Sequence, residues 1–185
     1  MKNYKENGLE ILERAGTKLF KPAIKLGTYQ LQNWSKYVGF DRIKLKSLIK
    51  GASTKKGSFA YVYILDNKSV LYIGQTVVTS RIFTPSSIGG FNKITQEAKI
   101  PSSKHGPRNV STFFQVYKYL KEGHQIDVYL IESKENLKQT NEYGDEFSFI
   151  LKPQEVELLL QNEYKKYHNG ELPPMHTLHK EAYKN

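Results

Sequence analysis

Apolar positions along this chain follow two spacings, one helical and one of period two. Residues 3–15 carry Leu9, Ile11 and Leu12 and read as a helix that stops at Gly16. Residues 28–38, with Tyr29, Leu31, Trp34 and Val38, read as a second helix. After the break Gly39-Phe40, Asp41 reads as the N-cap of a third helix. Ile43, Leu45, Leu48 and Ile49 would form its apolar face and Gly51 its C-cap. Two short helices about a glycine break have the outline of a helix-turn-helix. Residues 52–57 read as a linker by composition.

From there the period changes. Residues 59–65 and 70–74 read as strands joined by the turn Asp66-Asn67-Lys68-Ser69. Pairing Leu65 with Val70 would set Tyr63 opposite Tyr72 and Tyr61 opposite Gly74. The three tyrosines then share one face, with opposed Cβ atoms ~5 Å apart. Gly74 would leave bare backbone that a substrate can approach. The same pattern also suits a tyrosine-rich strand pair packing a core. The stretch 84–109 is long, rich in Gly, Pro and Ser, and reads as a substrate-contacting loop. Ser111 or Thr112 would cap a helix carrying Phe113, Val116, Tyr117 and Leu120, closed by Gly123. Residues 126–131 read as a strand, and residues 147–151 fit either class. Pro153 opens a helix that runs to about His168, and Pro173-Pro174 ends that region. The fold class expected is α/β in the α+β sense, a small central antiparallel sheet with helices on its flanks. A helical basic N-terminal arm, residues 1–56, would precede a core of residues 57–185.

Charge adds a partner to this picture. The net charge is +10. Residues 1–56 hold 13 Lys/Arg against 4 Asp/Glu, so nearly all of the excess lies there. A basic arm on a near-neutral body points to a polyanion, nucleic acid above all. The absence of cysteine excludes disulfides, thiolate metal sites and a cysteine nucleophile. No apolar run has the length of a membrane span, so no membrane partner and a cytoplasmic location are expected.

Four short motifs now stand in order. Tyr61-Val62-Tyr63 resembles the first motif of the GIY-YIG nucleases, with Tyr61 where the family has glycine, and Tyr72-Ile73-Gly74 is similar to the second. Arg81 follows where the family has an arginine. Leu160-Gln161-Asn162-Glu163-Tyr164 resembles the family's metal-binding glutamate on a C-terminal helix. The helix itself bears on which residue that is. Its apolar stripe is Val156, Leu159, Leu160, Tyr164 and Tyr167, and Glu163 falls within it at ~100° per residue, with Glu157 at its edge and Gln161 and Glu155 pointing away. A lone carboxylate on a buried face needs compensation, from a metal ion or from an arginine in an ion pair. A different alignment of the leucine run would put Gln161 at the metal position.

The resemblance implies a DNA endonuclease. Glu163 would hold one divalent cation, Mg²⁺ or Mn²⁺, and Arg81 would stabilise the pentavalent phosphate. Tyr63 would polarise or deprotonate the attacking water, with nearby cations lowering its pKa, and Tyr72 would orient it. A basic arm and a long central loop on a small core resemble the type II restriction enzymes of the family, which act on double-stranded DNA as homodimers. A phage or mobile-element nuclease of looser specificity and a non-catalytic DNA-binding module are the other readings. Candidate DNA contacts are Gln75, Lys93, Lys104, His105 and Arg108, with Arg42, Lys44 and Lys46 on the arm. His176 stands near the place of a late asparagine in the family's pattern.

Overall fold

A computed structural model describes residues 19–33, 39–83, 90–92, 98–99 and 107–176. Its main sheet is built from β1 (Ile24–Asn33), β2 (Phe40–Ser47), β3 (Lys56–Leu65), β4 (Ser69–Val78) and β7 (Ile126–Glu132). The strand order is β4-β3-β7-β1-β2, continued past β2 by the short strands β5 (Gly90–Asn92) and β6 (Ala98–Lys99). Every pairing in it is antiparallel. Among the described residues three α-helices accompany it: α1 (Ser80–Phe83), α2 (Pro107–Lys121) and α3 (Pro153–Tyr167). A separate two-stranded ribbon pairs β8 (Leu137–Thr140) with β9 (Glu146–Phe149). The expected class, an antiparallel sheet flanked by helices, is the one found.

The helical reading of residues 28–51 is overturned. This stretch forms the hairpin β1–β2, in register from Gly27↔Ser47 to Asn33↔Asp41. Tyr29 and Leu31, like Ile43 and Leu45, are two residues apart, and all four turn toward one core. Leu48, counted into a helical face, is exposed. Period two therefore outweighed the helical matches, which drew on Trp34 and Val38 beyond the strand. Gly51 has a left-handed φ of 72°, but it precedes the 3-10 turn Ala52–Thr54 rather than ending a helix. Residues 24–33 and 40–47 are therefore strands of the main sheet, not a helical arm beside it. The expected helix at 3–15 lies outside the described residues.

The sheet buries both faces where helices cover it. On one, Leu26, Tyr29, Ile43, Leu45, Phe59, Tyr63, Leu71, Val128 and Leu130 pack with Ile82 of α1 and with Val116 and Tyr117 of α2. On the other, Ala60, Val62, Ile64, Val70, Ile73 and Ile131 pack against Val156, Leu160 and Tyr164 of α3. Strand alternation makes this division. α3 lies over β3 and β4, so it covers only one end of its face.

At the inner end of that face sits Asp127, fully buried. It accepts from Thr28 Oγ1 at 2.6 Å and from Gln125 Nε2 at 3.0 Å, and it pairs with Lys25 at 2.5 Å. A buried carboxylate is tolerable only with such a set of donors. No helix of the described residues is long and apolar enough to cross a membrane.

Candidate active site

The hairpin β3–β4 positions the tyrosines. Asp66 and Asn67 both have positive φ, 49° and 57°, and Lys68 N–H donates to the Leu65 carbonyl at 2.8 Å. This is the type I′ geometry that matches strand twist, and Asp and Asn tolerate it. Leu65 pairs with Ser69, not Val70, but a bulge at Leu71 restores the count. Tyr63 then lies opposite Tyr72 and Tyr61 opposite Gly74, as the sequence indicates.

Three rings pack together on that face. Their centroids are 5.5 Å apart for Tyr61–Tyr63, 5.9 Å for Tyr61–Tyr72 and 5.4 Å for Tyr63–Tyr72. Gly74 is not bare. A Cβ there would meet Tyr61 Cζ at 2.5 Å, Tyr72 Cε1 at 2.6 Å and the Tyr61 hydroxyl at 2.7 Å. The glycine is needed so that Tyr61 can lie across β4, the edge strand of the sheet. Tyr61 and Tyr72 remain partly exposed, whereas Tyr63 is 4% exposed.

The buried hydroxyls are ordered. Tyr63 and Tyr29 oxygens are 3.1 Å apart, and Tyr29 is 3.0 Å from the Ile82 carbonyl, which can only accept. Each hydroxyl has one proton, so Tyr29 donates to Ile82 and Tyr63 donates to Tyr29. Burial holds the Tyr63 hydroxyl well above the ordinary tyrosine range, and the Tyr29 ring and hydrogen bond push the same way. Tyr61 is also held well above it, by burial first, then by Tyr63 and Tyr72, with a contribution from the Glu157 carboxylate. These phenols stay protonated at neutral pH.

Two further groups meet the tyrosines. After α3 the chain brings His176 to the edge of the sheet, where its ring stacks on Tyr72 at 4.5 Å and 13°. Its Nε2 accepts the Ile73 N–H at 3.1 Å, so that nitrogen carries no proton. Glu157 of α3 is the second group. It is partly buried, accepts from Gln161 Nε2 at 3.0 Å, and desolvation raises its pKa above the usual carboxylate value.

Glu163 lies elsewhere. Measured from the middle of the buried stripe Val156–Leu160–Tyr164, Glu157 and Glu163 each stand ~60° away, on opposite flanks. Glu157 is on the flank that acts on Tyr61. Glu163 pairs instead with Lys166 at 2.7 Å, its side chain 16% exposed. The structure groups Tyr61, Tyr63, Tyr72 and His176; Glu157, on α3, reaches Tyr61 through its charge, and Glu163 stands on the other flank of that helix. The signal available in the sequence was the Glu157–Gln161 pair, one turn apart on the edge of the stripe. Tyr29 was missed because its strand was read as a helix.

Arg81 is exposed on α1, next to the Ile82 carbonyl that holds Tyr29. It has no ion pair among the described residues. Gln75 pairs with Ala60 and so lies on the α3 face, away from the tyrosines. Lys93, Lys104 and His105 lie outside the described residues, and Arg108 falls in the first turn of α2. Arg42, Lys44 and Lys46 are on β2.

No group of three or more His, Cys, Asp or Glu that could hold a metal occurs among the described residues. Glu157 offers one desolvated carboxylate with a carboxamide beside it. That set fits a hard cation completed by phosphate oxygens and water, the way Mg²⁺ is commonly bound in phosphoryl-transfer sites. Comparisons with protein-family models, curated proteins and solved structures found no match to this chain.

Proposed function

We propose that this chain is a metal-dependent endonuclease of GIY-YIG type that hydrolyses phosphodiester bonds in double-stranded DNA. Its cleavage is sequence-specific, in the manner of a type II restriction enzyme acting as a homodimer. The reading is carried by one observation: two partly exposed tyrosines, Tyr61 and Tyr72, are grouped at the edge of the sheet with a desolvated carboxylate acting on one of them.

Each residue has a distinct task. Tyr72 and Tyr61 orient the attacking water by hydrogen bonding. Tyr61 does so as a neutral phenol, because burial keeps its proton on. Tyr63 is a positioning residue, locking the hairpin to β1 through Tyr29. His176 fixes the plane of Tyr72 and satisfies an edge N–H of β4. Arg81 meets the phosphate with its fork of donors. Glu157, rather than Glu163, would hold Mg²⁺ or Mn²⁺, which supplies charge relief at the phosphate when bound.

Digestion of a supercoiled plasmid with Mg²⁺ tests the reading. Discrete linear fragments are expected from the wild type, and none from Glu157→Gln or Tyr72→Phe. A smear would remove the sequence specificity. Inertness of the wild-type chain with every divalent metal would overturn the catalytic reading.

A further inference from the structure

The face of β1 and β2 turned away from the core carries a row of cations. Alternation puts Ile43 and Leu45 inside and Arg42, Lys44 and Lys46 on the opposite face. Across from them on β1 stand Gln32, Gln30 and Thr28, in the pairs Gln32↔Arg42, Gln30↔Lys44 and Thr28↔Lys46. Lys44, Lys46, Gln30 and Gln32 are exposed. α3 covers this face only over β3 and β4.

None of the three cations has an ion-pair partner among the described residues. The Arg42 Nε is shielded from solvent and donates to no acceptor within the described residues. The carboxylate nearest to them in the strand order on this face, Asp127, is already matched by Lys25. Asp41 has the parity of the buried face, where it acts on Tyr117. Three cations with no ion pair among the described residues and two exposed carboxamides therefore form a polar, cationic strip.

We infer that this strip is a docking surface for the phosphate backbone of duplex DNA. The inference rests on the nuclease reading and adds a duplex-gripping surface on the face of the sheet opposite the tyrosines. The spacing fits. Alternate residues on a strand are ~6.7 Å apart, so Arg42 to Lys46 spans ~13 Å. Phosphates on one DNA strand advance ~3.4 Å each along the axis, so the strip spans about four of them. The glutamines supply donors and acceptors between the charges. A rigid sheet holds the cations in line without the entropy cost of ordering a loop.

The test is salt-dependent binding of the full chain to a labelled 20-base-pair duplex, in EDTA so that cleavage cannot intervene. The probe protein is the triple variant Arg42→Gln, Lys44→Gln, Lys46→Gln. The control is Lys68→Gln, Lys121→Gln, Lys138→Gln, which removes the same charge from exposed positions elsewhere. Removing one cation that neutralises a phosphate reduces the slope of log affinity against log salt by about 0.9. The triple variant should therefore show a slope shallower by two to three units. Its deficit relative to wild type should shrink about 40-fold between 50 and 200 mM salt. The control should keep the wild-type slope.

Equal slopes for wild type and triple variant would overturn the strip and leave the nuclease reading intact, provided plasmid cleavage persists. A wild-type chain that binds no duplex would overturn both. Circular dichroism checks that the triple variant is folded, as expected for substitutions on an uncovered face.

Discussion

Gly74→Ala is the substitution that most directly probes the site. The added Cβ would lie 2.5 Å from Tyr61 Cζ and 2.6 Å from Tyr72 Cε1. Carbon atoms in good contact sit ~3.5–4.0 Å apart, so both rings must retreat by ~1 Å. Neither has an empty place to go. Tyr61 leans on Tyr63 at 5.5 Å, and Tyr72 is stacked on His176 at 4.5 Å. Overpacking of this kind costs about 1–3 kcal/mol. Replacing glycine in a strand returns about 0.5–1 kcal/mol, so the net loss is about 0–2.5 kcal/mol. For a chain of this size the melting temperature should fall by up to about 10 °C. Cleavage should suffer more, since a ~1 Å displacement of catalytic groups costs about 100-fold in rate. Thermal melting and the initial rate of supercoiled plasmid loss measure the two effects. A second variant separates clash from other causes. In a Tyr61→Ala background one of the two obstacles is gone and Tyr72 remains, so Gly74→Ala should destabilise less than it does in the wild type. If Gly74→Ala alone melts and cuts like the wild type, the packing of Tyr61 across β4 does not set the site.

Other substitutions probe the same geometry residue by residue. Glu157→Gln should abolish cleavage, while Glu163→Gln, which gives up only an ion pair with exposed Lys166, should cut within a few-fold of wild type; the reverse ranking would return the metal to Glu163. Because the folded-state pKa of Glu157 is raised, its favourable contribution is present below the unfolded value of 4.5 and lost as pH rises through the folded value, so Glu157→Gln should melt higher than wild type at pH 8 and lose that advantage near pH 4. Tyr72→Phe gives up the hydrogen bond shared with Tyr61 and should cost about 1 kcal/mol of stability while lowering the rate by about 10²–10⁴, whereas Tyr63→Phe should cost about as much stability and keep more activity; a Tyr63→Phe protein that folds normally and is the deader of the two would show that Tyr63 reaches the water. Asp127→Ala strands Lys25, Thr28 and Gln125 and should destabilise by about 3–5 kcal/mol, read by urea unfolding; a loss under about 1 kcal/mol would mean that water replaces the carboxylate.

Why some of this was legible in the sequence and some was not comes down to how far each signal reaches. The Tyr63–Tyr72 register was legible because a short turn between two β-patterned runs leaves few ways to pair them, and the bulge at Leu71 absorbed the one-residue error at Leu65. The helix from Pro153 was legible because a proline start and a 3.6-residue stripe agree over four turns. β1 and β2 were not, because each offers only two inward apolar residues at period two, Tyr29 and Leu31, Ile43 and Leu45, and adding Trp34, Val38 and the exposed Leu48 completes a helical spacing. The choice between Glu157 and Glu163 lay beyond reach for a different reason. A helical wheel gives the angle of a residue from the apolar stripe; counting Leu159 and Tyr167, which are exposed, put Glu163 inside it, whereas about the buried stripe Val156–Leu160–Tyr164 the two carboxylates are symmetric. Only the side on which the tyrosines lie breaks that symmetry, and that side is fixed by tertiary contacts: Tyr61 crossing Gly74, and the chain returning from α3 to place His176 on Tyr72. The consequence extends to the charge. Read on a helix at ~100° per residue, Lys44 would point away from Arg42 and Lys46, on the far side of the axis. On a strand they form one row, which is what turns a basic composition into a surface with a direction and a length.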